Sequence, residues 1–162
     1  MTESKKQQDR VLVSQNKKAF KDFFILDKYD AGIALIGSEV KSIREHKVNL
    51  KDSYARIRNG EVLLFNMHIS PYSNSRLEEL NPTRVRKMLL HRREINRIVT
   101  KMKDKSITLV PLSVYIDRGL VKVELATAKG KLKSDKRQDI EKKESELEIR
   151  RALKTRNKRY RN

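Results

Sequence analysis

The sequence predicts a small all-β fold with short flanking helices, followed by a basic C-terminal tail. Three observations predict it. Two turn signals, Asn59-Gly60 and Asp117-Arg118-Gly119, each sit between strand-like runs, which implies two hairpins. Around Ile95 the apolar period lengthens to that of a helix. After Gly130 apolar residues thin out and charge takes over.

Residues 1–15 are polar and poor in aromatics and read as a flexible N-terminal arm. Asn16-Lys17-Lys18-Ala19-Phe20 is a basic lead-in to the strand-like run Phe23, Phe24, Ile25 and Leu26. Asp30-Ala31-Gly32 reads as a turn before a second apolar run, Ile33 to Ile36. Ser38 as N-cap and Glu39 in a first turn predict a short helix over about 38–46, with Val40 and Ile43 on its inner side. The first hairpin follows, because Asn-Gly accepts positive φ at both turn positions. Its return strand is expected to run through Phe65, Met67 and Ile69 to Pro71, and residues 73–83 form a loop. Ile95, Ile98, Val99 and Met102 lie at i, i+3, i+4 and i+7, one face of a helix over about 92–104. Met88-Leu89-Leu90 either ends a strand or opens that helix. In the second hairpin Leu112, Val114 and Ile116 alternate, and so do Val121, Val123 and Leu125. A closed OB-like β-barrel over residues 16–130 is one economical way to remove the sheet edges from such a set.

The 162 residues carry 39 Lys+Arg against 21 Asp+Glu, a formal net charge of +18. Residues 131–162 hold 13 of those cations and 6 of those acids. A body so charged repels itself unless a polyanion is near, and nucleic acid is the commonest such partner. A membrane surface fits less well, because the basic tail lacks a broad apolar face. With no Cys there is no disulfide, cysteine-zinc or thiol redox chemistry. No run approaches ~18 consecutive apolar residues, so no transmembrane helix is expected. The polar start MTESKKQQDR leads only to VLV, so no secretory signal is expected either. In the tail, the pairs Asp139–Lys143 and Glu146–Arg150 support a helix by only a few tenths of a kcal/mol each. Residues 131–162 are therefore expected to be disordered when free and helical once docked.

Little in the chain points to catalysis. His46, His68 and His91 show no HExxH spacing, and a packing or capping role is the more economical reading. Asp52 and Glu61 are scattered acids with no pairing that would hold magnesium. There is neither a Walker loop nor a GxGxxG. The basic clusters say more. Arg84-Val85-Arg86-Lys87 precedes the predicted helix, and Arg92-Arg93 opens it against the macrodipole, a placement easier to accept if phosphate is met there. Lys122, Lys129 and Lys131, with Asn16, Lys17 and Lys18, are candidates for one basic face, and pattern leaves their adjacency to the fold.

A series of short segments, in order, resembles one family. It comprises Asn16-Lys17-Lys18-Ala19, Asp30-Ala31-Gly32-Ile33, the run Gly37 to Arg44, and Asn49 to Tyr54. It continues through Gly60-Glu61, Asn66 to Tyr72, Asn81 to His91, Gly119 to Glu124 and Ala128 to Lys131, and ends at Asp135-Lys136-Arg137. Together they resemble the tmRNA-binding small protein B family, the SsrA-binding proteins. The resemblance implies a bacterial, cytoplasmic, non-enzymatic protein without cofactors, acting as a monomer. It implies an OB-like barrel that binds the tRNA-like domain of tmRNA and carries it to ribosomes stalled without a stop codon. The tail would then probe the small-subunit decoding centre and the empty mRNA channel, and elongation factor Tu with charged tmRNA is a further implied partner. By position, Asp30, Leu89, His91 and Lys122 resemble the family's RNA-contacting residues, and Lys129 and Lys131 resemble basic positions on the same side. With Asn16, Lys17, Lys18, Lys41, Arg84 and Arg86 they make up the expected RNA-binding set, and Asp135, Lys136 and Arg137 the ribosome-binding one. Four positions depart from the family's habit. Asp30 stands for a usual Glu, His46 for a Gly, Leu132 for a Lys, and Ser134 for an aromatic or His ring. The alternative reading is a structural ribosomal protein whose tail threads rRNA.

Overall fold

The computed structural model describes residues 10–73 and 80–159. The chain divides into two compact units, one ending at Gly130 and one starting at Lys131. In the first unit the elements are β1 (Arg10–Gln15), α1 (Lys17–Asp22), β2 (Phe23–Ile33), α2 (Gly37–Arg44), β3 (Val48–Asn49), β4 (Tyr54–Arg58), β5 (Glu61–Phe65), β6 (His68–Ile69), β7 (Arg86–Leu89), α3 (Arg92–Lys101), β8 (Ile107–Asp117) and β9 (Leu120–Gly130). The second unit holds α4 (Lys133–Arg159).

Strands β8, β4, β5, β7, β2 and β9 follow one another, and β9 pairs back onto β8, so six antiparallel strands close a ring. Two seams are thin. β4 meets β8 through the single pair Ala55↔Leu109, and β2 meets β7 through Gly32↔Leu89 and Ile33↔Met88. The result is a barrel-like ring rather than a strict barrel. Alternation turns Val62, Leu64, Met88, Val123 and Leu125 inward, where they pack with Leu109, Val114, Ile43 and Ile98. Burying each such aliphatic side chain contributes about 1.5–3 kcal/mol.

The Asn59-Gly60 hairpin forms as expected, with φ of 50° and 73° and Arg58 paired to Glu61. The second hairpin turns at Arg118 and Gly119, again with positive φ, and its arms run eleven residues each. A bulge beyond Pro111 reverses the parity of β8. Leu109 and Val114 therefore both face the ring interior, while Leu112 joins Val110, Ala126 and Ala128 in a second cluster with Ala19 of α1. The expectation that Leu112 and Val114 share a face is corrected by that bulge.

Other expectations are also corrected. Residues 10–15 are a strand rather than arm, because β1 pairs with β8 from Arg10↔Asp117 to Gln15↔Ser113; residues 1–9 lie outside the described set. Asp30-Ala31-Gly32 does not turn, and β2 runs on to Ile33 because it stays paired with β9 through Gly32↔Lys122. The first return strand ends at Phe65, where Asn66 takes φ 57° and sends β6 to a separate two-stranded sheet with β3. Helix α2 begins at Gly37, so Ser38 lies inside it, and Glu39 caps it by accepting the Ile36 N–H at 3.2 Å. Met88-Leu89 belong to β7. Of the loop expected over 73–83, residues 74–79 lie outside the described set.

In α4 the Asp135 carboxylate accepts the Leu132 N–H at 3.0 Å, and the Leu132 carbonyl accepts the Lys136 N–H at 3.1 Å, which closes the first turn. From Ile140 to Thr155 every residue is exposed. Among the described residues no helix is long and apolar enough to cross a membrane.

Candidate nucleic-acid interface

Antiparallel register sets a row across three adjacent strands. Leu89 of β7 lies opposite Gly32 of β2, and Gly32 lies opposite Lys122 of β9. Gly32 is the low point of that row. A Cβ added there would stand 3.2 Å from the Leu89 Cβ, so the absent side chain lets Leu89 lie close against β2. Leu89 is half exposed, an apolar side chain beside a lysine on the outer surface. The row continues from Lys122 to Tyr115 on β8 and from Tyr115 to Leu12 on β1. One step along, Asp30 faces Glu124.

Charges of both signs interlock around this row. The Arg10 guanidinium donates to the Asp30 carboxylate at 2.9 Å and lies 4.8 Å from the Tyr115 ring centre. Lys122 Nζ donates to Asp117 Oδ2 at 3.1 Å, and Arg118 reaches the other oxygen at 3.5 Å. The Lys122 ammonium, with Arg118 beside it, holds the Asp117 carboxyl below its ordinary range. Burial, with Asp30 next to it, raises the Tyr115 phenol well above its ordinary value, so it stays neutral. Asp30 and Lys122 thus keep exposed edges while their ion pairs fix where they stand. An ammonium there can meet phosphate, whereas a carboxylate repels phosphate and accepts from a base edge or a ribose 2′-OH.

The remaining expected residues are placed in several different ways. Lys17, Lys41 and Lys129 are exposed. Lys41 Nζ stands 5.4 Å from the Tyr72 ring centre, and Lys129 sits across from Phe24 at the end of β9. Lys18 is exposed and paired with Asp52 at 2.6 Å. His91 is exposed at the N-cap of α3, its N–H donating to Glu94 at 3.0 Å. Lys131, Asp135, Lys136 and Arg137 belong to the second unit, where Lys131 pairs with Asp139 at 2.5 Å.

Asn16 and Arg86 are the corrections. Asn16 is buried as the N-cap of α1, accepting from the Ala19 N–H and donating to the Leu50 and Pro111 carbonyls, so its amide fastens Lys17 and Lys18 to the ring. The Arg86 side chain is fully buried, donating to Glu39 Oε1 from Nε and Nη2 and to the carbonyls of Met67, Arg84 and Pro82. No donor is left for phosphate. Arg84 also spends two donors on Glu39, at 2.9 and 2.6 Å. Burial pushes the Glu39 carboxyl up, but the two guanidinium groups outweigh it and bring it below its ordinary value. Sequence reasoning missed Arg10 and Tyr115 beside the candidate row. The strand-like VLV beginning beside Arg10 was the available signal. Among the described residues no cluster of His, Cys or acids is placed to hold a metal.

An outward row joining an apolar side chain, a lysine and a carboxylate on a cationic β-ring defines a protein of the polyanion-binding class. The comparisons specify it. The family model for SmpB protein matches residues 13–155. An SsrA-binding protein of Caldicellulosiruptor bescii is 53% identical over 154 residues, covering 95% of this chain and 98% of that one. Another, from Halothermothrix orenii, is 54% identical over 92% of this chain and 97% of its own. A chain of the solved structure "tmRNA-SmpB: a journey to the center of the bacterial ribosome" is 42% identical, with a TM-score of 0.63 over 78% of this chain and 93% of that one. The chain belongs to the SmpB protein family.

Proposed function

We propose that this protein is an RNA-binding adaptor of trans-translation: it binds the tRNA-like domain of tmRNA and delivers it to ribosomes stalled without a stop codon. Family membership and the ribosome-associated structural neighbour support the reading. The observation that carries it is the row of Leu89, Gly32 and Lys122, with Asp30 beside it. Lys122 neutralises a backbone phosphate, Leu89 packs on a sugar or base, and Asp30 accepts from a 2′-OH, which favours RNA over DNA. The His91 ring stacks on or hydrogen-bonds an unpaired base at the start of α3. Lys17, Lys18, Lys41 and Lys129 add phosphate contacts, and Lys131 adds another from the second unit.

The second unit is the ribosome-directed part. Asp135, Lys136 and Arg137 engage the decoding centre, and the rest of α4 follows the empty mRNA channel. From Ile140 to Thr155 every residue is exposed, so the α4 helix is marginal in the free segment and is fixed only on docking. The protein acts as a cytoplasmic monomer, performs no catalysis and needs no cofactor, with elongation factor Tu as companion to the charged tmRNA. The relatives are SsrA-binding proteins, which favours this reading over a structural ribosomal protein.

Titration of the tRNA-like domain against salt tests it. With six to ten phosphates neutralised, affinity falls about a thousand-fold or more between ~50 and ~200 mM salt. Lys122→Ala weakens binding and lowers the salt slope by about one. Truncation before Asp135 keeps RNA binding and abolishes tagging in a reconstituted translation assay. RNA binding lost on truncation, or unchanged in Lys122→Ala, refutes the division of labour.

A further inference from the structure

Beyond Leu89, at the β7 end of the Lys122 row, the outer face of β4 and β5 has a chemistry of its own. Alternation places Tyr54, Arg56 and Arg58 of β4 outward, and the register sets them against Phe65, Leu63 and Glu61 of β5. Leu63 in turn faces Lys87 of β7. The Tyr54 and Phe65 rings stack, with centres 5.3 Å apart and planes within 6° of parallel. Both arginines fold onto them: the Arg56 guanidinium lies 5.1 Å from the Tyr54 ring centre, and that of Arg58 lies 5.4 Å from Phe65. At the hairpin tip the Arg92 side chain donates to the Gly60 carbonyl at 3.3 Å, bringing one of the two arginines that open α3 to the same region.

A cross-strand aromatic pair alone is ordinary hairpin packing. The charges are not accounted for that way. Glu61 lies opposite Arg58, yet its carboxylate pairs with Lys87 at 2.5 Å. Among the described residues neither Arg56 nor Arg58 has a carboxylate partner, and both are exposed. The rings are covered by each other and by the two guanidinium groups, so it is the exposed, ring-backed guanidinium planes that offer flat cationic surfaces. That combination suits stacked bases on a phosphate backbone rather than a protein or a lipid surface.

The geometry points to a second RNA-binding surface on the outer face of β4–β5, which takes an unpaired stretch of RNA by stacking its bases on the Arg56 and Arg58 guanidinium planes, held flat by the Tyr54–Phe65 pair beneath them. This surface serves RNA that is not base-paired, whereas the Lys122 row serves the folded tRNA-like domain.

The test uses the full chain and a fluorescein-labelled ten-residue oligouridine, which has no structure of its own. The double variant Arg56→Lys/Arg58→Lys keeps every charge and removes both planar groups. It is expected to bind oligouridine about tenfold more weakly, with an unchanged salt slope, as when a stacked base is lost. Phe65→Leu, which keeps an apolar side chain in the hairpin, is expected to weaken binding in the same direction. Thermal midpoints measured alongside confirm that both variants fold. Lys122→Ala is expected to change oligouridine binding less than twofold. Because that variant is read on the tRNA-like domain, the two surfaces can fail independently. Equal oligouridine affinity for the double lysine variant and the parent overturns the inference. An equal loss in Lys122→Ala and the double variant also overturns it, since the two faces would then be one.

Discussion

Replacing Glu39 with Gln tests what holds β7, and with it Leu89, in place. The Glu39 carboxylate accepts three hydrogen bonds at Oε1, one from Arg84 and two from Arg86, and two at Oε2, from Arg84 and the Ile36 N–H. A neutral amide keeps one acceptor and turns the other into a donor aimed at a guanidinium. The Arg86 side chain, 0% exposed, is then a buried cation without its counter-charge. Breaking such a pair costs about 3–5 kcal/mol. At about 2–4 °C per kcal/mol for a chain of this size, the midpoint falls by roughly 6–20 °C. Circular dichroism melts, with urea midpoints as a second measure, check it. The double variant Glu39→Leu/Arg86→Met removes both charges and is expected to recover more than half of the loss. The folded Glu39 carboxyl lies below its unfolded value of 4.5, so its stabilisation is full above that pH and is lost as pH falls through the folded value. Glu39→Gln is therefore expected to flatten the acid limb of the stability curve. A Glu39→Gln midpoint within 2 °C of the parent, or an acid limb unchanged in shape, refutes the reasoning.

Further expectations follow from single positions. Gly32→Ala places a Cβ 3.2 Å from the Leu89 Cβ, so β2 and β7 must part slightly. Affinity for the tRNA-like domain is expected to drop several-fold, with a stability loss of about 1 kcal/mol or less, read by titration and melting. Gly60→Ala forces a left-handed backbone at φ 73° on an alanine and puts its Cβ 3.2 Å from Arg92 Nη1. A loss of about 1–2 kcal/mol is expected in urea unfolding. Leu64→Ala, at a fully buried core position, is expected to cost about 2–5 kcal/mol in the same assay. Arg10→Ala frees the Asp30 carboxylate from its 2.9 Å partner. It is expected to weaken binding of the tRNA-like domain more than one lost phosphate contact explains, because Asp30 is no longer oriented.

What the sequence disclosed about the fold was mostly local. The Asn59-Gly60 turn is settled by its own two residues, whose positive φ the dipeptide accepts. The same reasoning failed at Asp30-Ala31-Gly32, where a turn-like composition serves close strand contact instead, since Gly32 is there to admit Leu89. Strand β1 was illegible because its partner, β8, lies about a hundred residues away. The parity of β8 was hidden for a related reason: a bulge moves Leu112 off the face of Val114, and nothing in the alternation announces it. In the candidate site, Lys122 and Leu89 could be picked out through resemblance, and the fold makes them neighbours through Gly32. Arg86 looked like a phosphate ligand because its counter-charge, Glu39, is 47 positions back in the chain. Basic clusters read from sequence alone overcount available cations wherever a distant carboxylate has already claimed one.

The pairing of β1 with the far end of β8 has a practical corollary. Arg10, at the leading edge of the described chain, braces a carboxylate that the RNA is proposed to touch. A purification tag or reporter joined directly to Arg10 would start beside the face proposed to meet tmRNA. Such a fusion is expected to blunt capture of tmRNA while leaving the melting temperature untouched, a fault easily mistaken for a poor RNA preparation.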